Sequence, residues 1–199
     1  MKDENKIVAD GRITYIRRSE NGNTVFYLQS VDKANVRNIQ FVYRGDFPDG
    51  IGIRKKVHVE GYVVAYKNSI EGGKYDYVQY FVAEKVELQR SILEAEFGQT
   101  GHFLAKDSFK GVFSGTVSQV IRTENPKWGK LIVAINGRRT SYIVFSYFLG
   151  GRLPKFDYEK GDRVCIMSGL STIDKEVNGK KKHFQNLQIE DIAKMEDEA

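Results

Sequence analysis

The sequence predicts an all-β protein made of two copies of a five-strand unit. Its 199 residues include 12 Phe and 11 Tyr but only three Pro, a composition that favours strands. Segments with the alternation of strands follow one another in the same order in both halves. Glycines and turns recur at matching places in that order, so a duplicated unit explains the pattern better than two unrelated β-rich domains.

The first three strands of each unit can be aligned. VADGRITYIRRSENGNTVFYLQS (8–30) matches VFSGTVSQVIRTENPKWGKLIVAI (112–135), with a glycine in the first strand and Arg, Glu and Asn before the turn. The third strands are RNIQFVYRGDF (37–47) and TSYIVFSYFLG (140–150). The spacing therefore predicts the same strand–turn–strand–strand arrangement twice.

Each unit is predicted to end in a long hairpin. A fourth strand carries a late glycine, Gly61 or Gly169, and leads through a Gly- and Lys-containing turn to a fifth strand. We align these two glycines with each other. In the second unit, Asn178 and Gly179 form the dipeptide that a two-residue hairpin turn prefers, because both positions need a positive φ.

These patterns give a domain organisation. The segment RSILEAEF before Gly98 favours a short helix between the units. The predicted parts are a first domain over 1–90, a linker over 91–109, a second domain over 110–192 and an acidic C-terminal segment over 193–199.

The rare residue types exclude several functions. Cys165 is the single cysteine, so no internal disulfide forms, and its apolar surroundings predict a buried side chain. The three histidines are too scattered for a zinc site. No phosphate-cradling motif or nucleophile arrangement occurs, so neither a cofactor nor an enzymatic activity is expected. The N-terminus lacks an apolar signal region, which predicts a cytoplasmic protein (in the host cytoplasm if viral).

The charge is unevenly distributed. The formal net charge is +5 and the sequence pI about 9.1. Most of the basic excess lies in 101–189, and 190–199 is acidic. A basic surface predicts a polyanionic partner. The acidic segment is expected to compete for that surface or to contact replication or recombination proteins.

The predicted unit resembles an OB-fold, a partly open five-stranded Greek-key barrel. KKVHVEGYVVAYKN (55–68) and YDYVQYFVAEKVEL (75–88) resemble the fourth strand, basic hairpin and closing strand of bacterial and phage single-stranded DNA-binding proteins. The resemblance implies nonspecific binding of single-stranded DNA in replication or recombination, through strands two and three and the 1–2 and 4–5 loops. Two units per chain and an acidic segment without a terminal Phe favour a phage- or plasmid-like version.

Two other functions remain open at this stage. OB-folds also bind RNA, and nothing in the sequence distinguishes a ribose from a deoxyribose. OB barrels also serve in protein–protein interaction and assembly, because a fold does not fix a function.

Binding an unpaired strand requires cations for phosphates and exposed aromatic faces for bases. Trp128 lies between Lys127 and Lys130 in a turn with Pro126 and Gly129, so its indole is expected outside the core. Alternatively, it caps an open end of the barrel. The other candidates lie at first-strand ends, on strands two and three, and on the 4–5 hairpins. They are Arg122, Arg17, Arg18, Tyr27, Arg44, Lys67, Lys74, Tyr75, Tyr77, Lys180, Lys181, Lys182 and Phe184.

Strand alternation sorts some of these residues by face. In the second strand, Phe26 and Leu28 are predicted to point into the core, with Tyr27 outward. In the third strand the pattern does not decide which face is core. In the last hairpin, either His183 or Phe184 faces the binding groove, but not both.

Overall fold

A computed structural model of the chain describes residues 3–32, 35–69, 75–89, 109–150, 153, 155–177 and 179–195. Within these residues there are ten strands and no helix. The strands of the first half are β1 (Asn5–Arg18), β2 (Thr24–Asp32), β3 (Asn35–Tyr43), β4 (Lys56–Ser69) and β5 (Tyr75–Leu88). Those of the second half are β6 (Lys110–Arg122), β7 (Trp128–Ile135), β8 (Ser141–Phe148), β9 (Arg163–Val177) and β10 (Lys180–Lys194). The predicted linker helix falls outside the described residues.

The strands form two five-stranded barrels with the same topology. The first has the order β2-β3-β5-β4-β1 and closes because β1 also pairs with β2. The second has the order β6-β7-β8-β10-β9 and closes through β6 and β9. In each barrel the third and fifth strands are parallel and every other pairing is antiparallel. This is the strand order of an OB-fold, and it confirms the predicted fold class.

The barrel interiors are filled by large apolar side chains. Phe26, Phe41 and Phe81 are fully buried in the first barrel, and Phe113 and Phe145 in the second. Burial of each contributes roughly 1.5–3 kcal/mol. The core face of β3 therefore carries Phe41, which the sequence left open. The prediction that Phe26 and Leu28 point inward is confirmed.

The two barrels are joined edge to edge. β1 and β6 pair antiparallel, from Asn5 opposite Phe113 to Val8 opposite Lys110. All ten strands thereby belong to one continuous hydrogen-bonded sheet. The barrels share this seam, and the first strand of each unit lies at the centre of the molecule.

The glycines of the first strands allow close strand approach. A Cβ on Gly11 would lie 2.6 Å from the carbonyl oxygen of Gln29, and one on Gly115 would overlap the carbonyl oxygen of Ala134. Both strands are register-shifted a few residues later, between Ile13 and Tyr15 in β1 and at the matching place in β6. These glycines bend the first strand of each barrel, as expected for a bulged barrel strand.

The alignment of Gly61 with Gly169 is wrong by one residue. Gly61 pairs with Ile7 on β1, whereas the residue in the same position on β9 is Ser168, which pairs with Gly111. Ser168 is fully buried, so a small hydroxyl side chain fits where the first barrel has glycine. Gly169 instead faces the side chain of Glu190.

The prediction that Cys165 is buried is also wrong. Its thiol side chain is exposed, whereas its neighbours Val164 and Ile166 are fully buried. All four residues of the run VCIM (164–167) are apolar, but they alternate between buried and exposed, because Met167 is exposed as well. Apolar composition alone therefore misassigned the face of β9 on which the cysteine lies.

Candidate nucleic-acid interface

Each fourth–fifth hairpin reaches across the seam to the opposite barrel. We call residues 64–69 and 75–79 the first arm, and residues 171–177 and 179–185 the second arm. The first arm contacts β8, because Gln79 Nε2 donates to the carbonyl oxygen of Val144 at 3.1 Å and the Val144 N–H donates to Gln79 Oε1 at 2.6 Å. The first arm thus lies against β8, the third strand of the second barrel.

The second arm lies on the first barrel. The backbone N–H of Gln40, on β3, donates to Thr172 Oγ1 at 2.9 Å. The rings of Tyr27 and His183 meet edge to face with their centroids 5.5 Å apart. As predicted for the second residue of the hairpin turn, Gly179 has a positive φ, of 71°.

An open groove of about 680 Å³ separates the first barrel from the second arm. Tyr15 and Tyr27 pair across β1 and β2, with ring centroids 5.8 Å apart and ring planes at 70°. Tyr15 is 47% exposed. Together with His183 the two tyrosines form a row of three rings. Among the residues that the structure describes, the lining is Thr14, Tyr15, Arg17, Tyr27, Gln29, Arg37, Asn38, Gln40, Ser171, Thr172, Asp174 and His183.

The groove has both cationic and anionic groups. Arg17 and Arg37 line it from the first barrel. On the arm, His183 Nδ1 lies 2.6 Å from Asp174 Oδ1. Burial and then the Asp174 carboxylate raise the pKa of Tyr27 to about 12, against a smaller opposing effect of Arg17. Tyr27 is therefore a neutral phenol at neutral pH, and Gln40 Nε2 donates to its hydroxyl at 3.2 Å.

A second aromatic cluster lies at the β6–β7 turn. Trp128 is 47% exposed and Phe148 38% exposed, and their ring centroids are 4.6 Å apart. The prediction that Trp128 lies outside the core is confirmed. Lys127 and Lys130 flank Trp128 in sequence, Arg122 pairs with Gly129 across β6 and β7, and all three cationic side chains are exposed. Stacking surface and cationic side chains therefore occur together at this turn.

Hydrogen bonds hold this turn in one conformation. The N–H of Trp128 donates to the carbonyl oxygen of Asn125 at 3.0 Å, and the N–H of Lys127 donates to Asn125 Oδ1 at 3.0 Å. Thr123 Oγ1 lies 2.9 Å from the carbonyl oxygen of Trp128. The indole is consequently presented on a fixed support, which lowers the entropic cost of binding a base.

The structure separates the hairpin candidates by face. His183 faces the groove, whereas Phe184 lies on the other face of the arm and is half-buried. Lys182 shares that other face, directly opposite Lys175. Of the two predicted alternatives, His183 is the residue in the groove, and Phe184 and Lys182 do not line it.

The remaining candidates are distributed over the first barrel. Arg18 forms an ion pair with Asp46, and Arg44 Nη2 lies 3.5 Å from the hydroxyl of Tyr62. Lys67 and Tyr77 are a cross-strand pair in the first arm and are not among the residues that line the groove. Lys74 and the side chains of Tyr75, Lys180 and Lys181 lie outside the described part of the chain.

Sequence reasoning missed three aromatic or cationic residues of the two clusters, Tyr15, Arg37 and Phe148, and left His183 as one of two alternatives. For Tyr15 a signal existed, because an outward tyrosine on β2 needs a cross-strand neighbour on β1. The contact of His183 could not be found that way, since its partner Tyr27 belongs to the other unit. Among the described residues there is no group of three metal-binding side chains, and no helix long and apolar enough to span a membrane.

Comparison with known proteins gives a likeness of fold. No family model matches the sequence, and no curated protein matches it. The solved structure of the wild-type single-stranded DNA binding protein from Thermus aquaticus is similar, with a TM-score of 0.63 at 12% identity over 98% of this chain and 95% of that one. A deletion mutant of the same protein gives a TM-score of 0.62 at 12% identity, over 100% and 97% of the chains. The chain shares its fold with these proteins along its whole length.

Proposed function

We propose that the protein binds single-stranded DNA without sequence preference and acts in DNA replication or recombination. One observation carries the proposal: exposed aromatic rings stand beside cationic side chains in both clusters. Tyr15 and Tyr27 lie with Arg17, and Trp128 lies with Lys130. Aromatic rings stack on any base, and arginine and lysine neutralise phosphates.

The shared fold supports the same proposal. The Thermus aquaticus proteins with this fold are single-stranded DNA binding proteins. A binding role needs no bound metal, cofactor or catalytic group. A phage or plasmid origin stays a prediction.

The acidic segment that is open to such contacts is shorter than the range 190–199 that the charge pattern indicated. β10 continues to Lys194, and Glu190 forms an ion pair with Lys110. Ile192 is buried in the core of the second barrel. Competition for the basic surface, or contact with replication or recombination proteins, is therefore proposed for residues 196–199 alone.

The proposal is tested by fluorescence anisotropy with a labelled oligo-dT. Unlabelled single-stranded DNA, RNA of matched sequence and duplex DNA serve as competitors. Single-stranded DNA is expected to compete best and duplex least, because paired bases cannot stack on the protein. Equal competition by RNA would favour the RNA-binding alternative. Absence of binding at low salt would contradict the proposal and favour the assembly alternative.

A further inference from the structure

The two arms are equivalent but make different contacts. Gln79 of the first arm pairs across its hairpin with Ala65, and Gln185 of the second arm pairs with Thr172. Both glutamines are buried, each 8% exposed. Each reaches toward the third strand of the opposite barrel. The contacts of Gln79 and Gln185 can therefore be compared as those of one equivalent position in the two halves.

The first arm is bonded directly to the backbone of the second barrel. The Gln79 amide donates to and accepts from the same residue, Val144, and so occupies both of its backbone groups. Ile132, the cross-strand partner of Val144, is 1% exposed although it lies outside the hydrophobic core cluster. At this point the arm is bonded to the face of the second barrel without an intervening residue.

The second arm is held by a hydroxyl relay instead. The N–H of Gln40 donates to Thr172 Oγ1 at 2.9 Å, and Thr172 Oγ1 donates to Gln185 Oε1 at 2.7 Å. On β3, Gln185 bonds to a side chain and not to the backbone: its Nε2 donates to Gln40 Oε1 at 3.4 Å. Ala65 has no hydroxyl, so the first arm cannot form this relay. Here the open groove remains between arm and barrel.

The two barrels also differ in the residues on the faces that the arms contact. The cross-strand pair Tyr15 and Tyr27 of the first barrel corresponds to Gln119 and Ile132 in the second, since the register shifts match. By the same register, Arg17 corresponds to Ile121. At these three positions the first face offers two rings and a cation, and the second offers an amide and two aliphatic side chains.

We propose that the barrels have divided their tasks: the first barrel's face and the second arm together bind an unpaired nucleobase, while the equivalent position on the second barrel, at Ile132 and Val144, anchors the first arm. Thr172 is the positioning residue that keeps the groove open. The groove volume of about 680 Å³ lies in the usual range of small-molecule sites. This inference rests on the proposed function for the identity of the ligand.

The test compares Thr172→Ala with Thr172→Ser in the full chain. Removal of the hydroxyl lets Gln185 approach the backbone of Gln40 directly, as Gln79 approaches Val144, and closes the groove. We expect Thr172→Ala to weaken oligo-dT binding about tenfold, the effect of removing one base stack. Thr172→Ser keeps the hydroxyl and is expected to bind like the wild type. Thermal unfolding of both variants verifies that they fold.

A second measurement reports the groove without any ligand. Nitration of tyrosines by tetranitromethane, mapped by mass spectrometry, is expected to fall at Tyr15 and Tyr27 in Thr172→Ala and not in Thr172→Ser. Unchanged nitration, or unchanged affinity in Thr172→Ala, would overturn the role of Thr172. If the wild type binds no oligonucleotide, the proposed function and the ligand fail together, and nitration still decides whether Thr172 holds the groove open.

Discussion

Ile7 and Gly111 pair with each other across the seam, and each occupies the same position in its own barrel. Gly61 opposes Ile7 in the first barrel, as Ser168 opposes Gly111 in the second. An antiparallel pair of equivalent residues places an approximate two-fold axis between them. The duplicated unit therefore forms an internal dimer.

Gly111 is predicted to be intolerant of a side chain. A Cβ there would overlap the ring of Phe113 and lie 3.1 Å from Ile7 Cγ2, and the Phe113 ring is fully buried. Gly111→Ala should lower the free energy of unfolding by about 1–3 kcal/mol through overpacking. Urea denaturation measures this. Gly137→Ala is the control, because its nearest atom would be 3.8 Å away, and an equal decrease in both variants would contradict the explanation.

The ring of Tyr27 is predicted to bind a base, and its hydroxyl is not. Tyr27→Ala should weaken oligo-dT binding by about 1–3 kcal/mol, the value of one base–aromatic stack. Tyr27→Phe keeps the ring and should bind nearly as tightly as the wild type. Anisotropy titrations of both variants provide the measurement. Equal weakening in the two variants would show that the hydroxyl, bonded to Gln40, matters more than the stacking face.

The titration of Tyr27 gives a pH-dependent prediction. Burial and the Asp174 carboxylate raise the pKa of Tyr27 to about 12, whereas an unfolded tyrosine titrates near 10. The folded protein therefore holds the phenolic proton more tightly. This contribution to stability is complete below about pH 10 and is lost as the pH rises toward about 12.

Ultraviolet difference spectroscopy follows this phenol directly. Tyr27→Phe should remove one phenolate signal near pH 12 that the wild type shows. A spectrum in which Tyr27→Phe keeps the signal would mean that the groove does not hold the phenol as described.

The cations beside Trp128 are predicted to bind phosphates. Neutralising one such cation should reduce the slope of log K against log salt by about 0.7 for a single strand. Arg122→Gln and Lys130→Gln should each show this change. Lys85→Gln is the matched control: this lysine is also exposed but is paired with Glu87 at 2.8 Å, and its slope should equal that of the wild type. If only Lys85→Gln reduced the slope, the phosphates would not bind beside Trp128.

Local chemistry was readable from the sequence. Alternation placed Phe26 in the core, and the Pro- and Gly-containing turn placed Trp128 outside it. Both conclusions depend on neighbours a few residues away. The strand order followed from the repeat for the same reason, since both copies carry the same succession of strands and turns.

Contacts between the two units could not be read in this way. Tyr27 meets His183, and Gln40 meets Thr172, across more than a hundred residues of chain. No periodicity within one unit predicts which face the other unit's arm will cover. Charge counting placed most of the basic excess in 101–189, but the open groove belongs to the first barrel and the second arm together.

The central claim, that the protein binds single-stranded DNA by stacking and phosphate contacts, is tested most directly by the fluorescence of Trp128. This is the single tryptophan in the sequence, so its signal reports the β6–β7 turn alone. Titration with oligo-dT at two salt concentrations should quench the emission and give an affinity that falls as salt rises. Unquenched emission together with no salt-dependent binding would contradict the account.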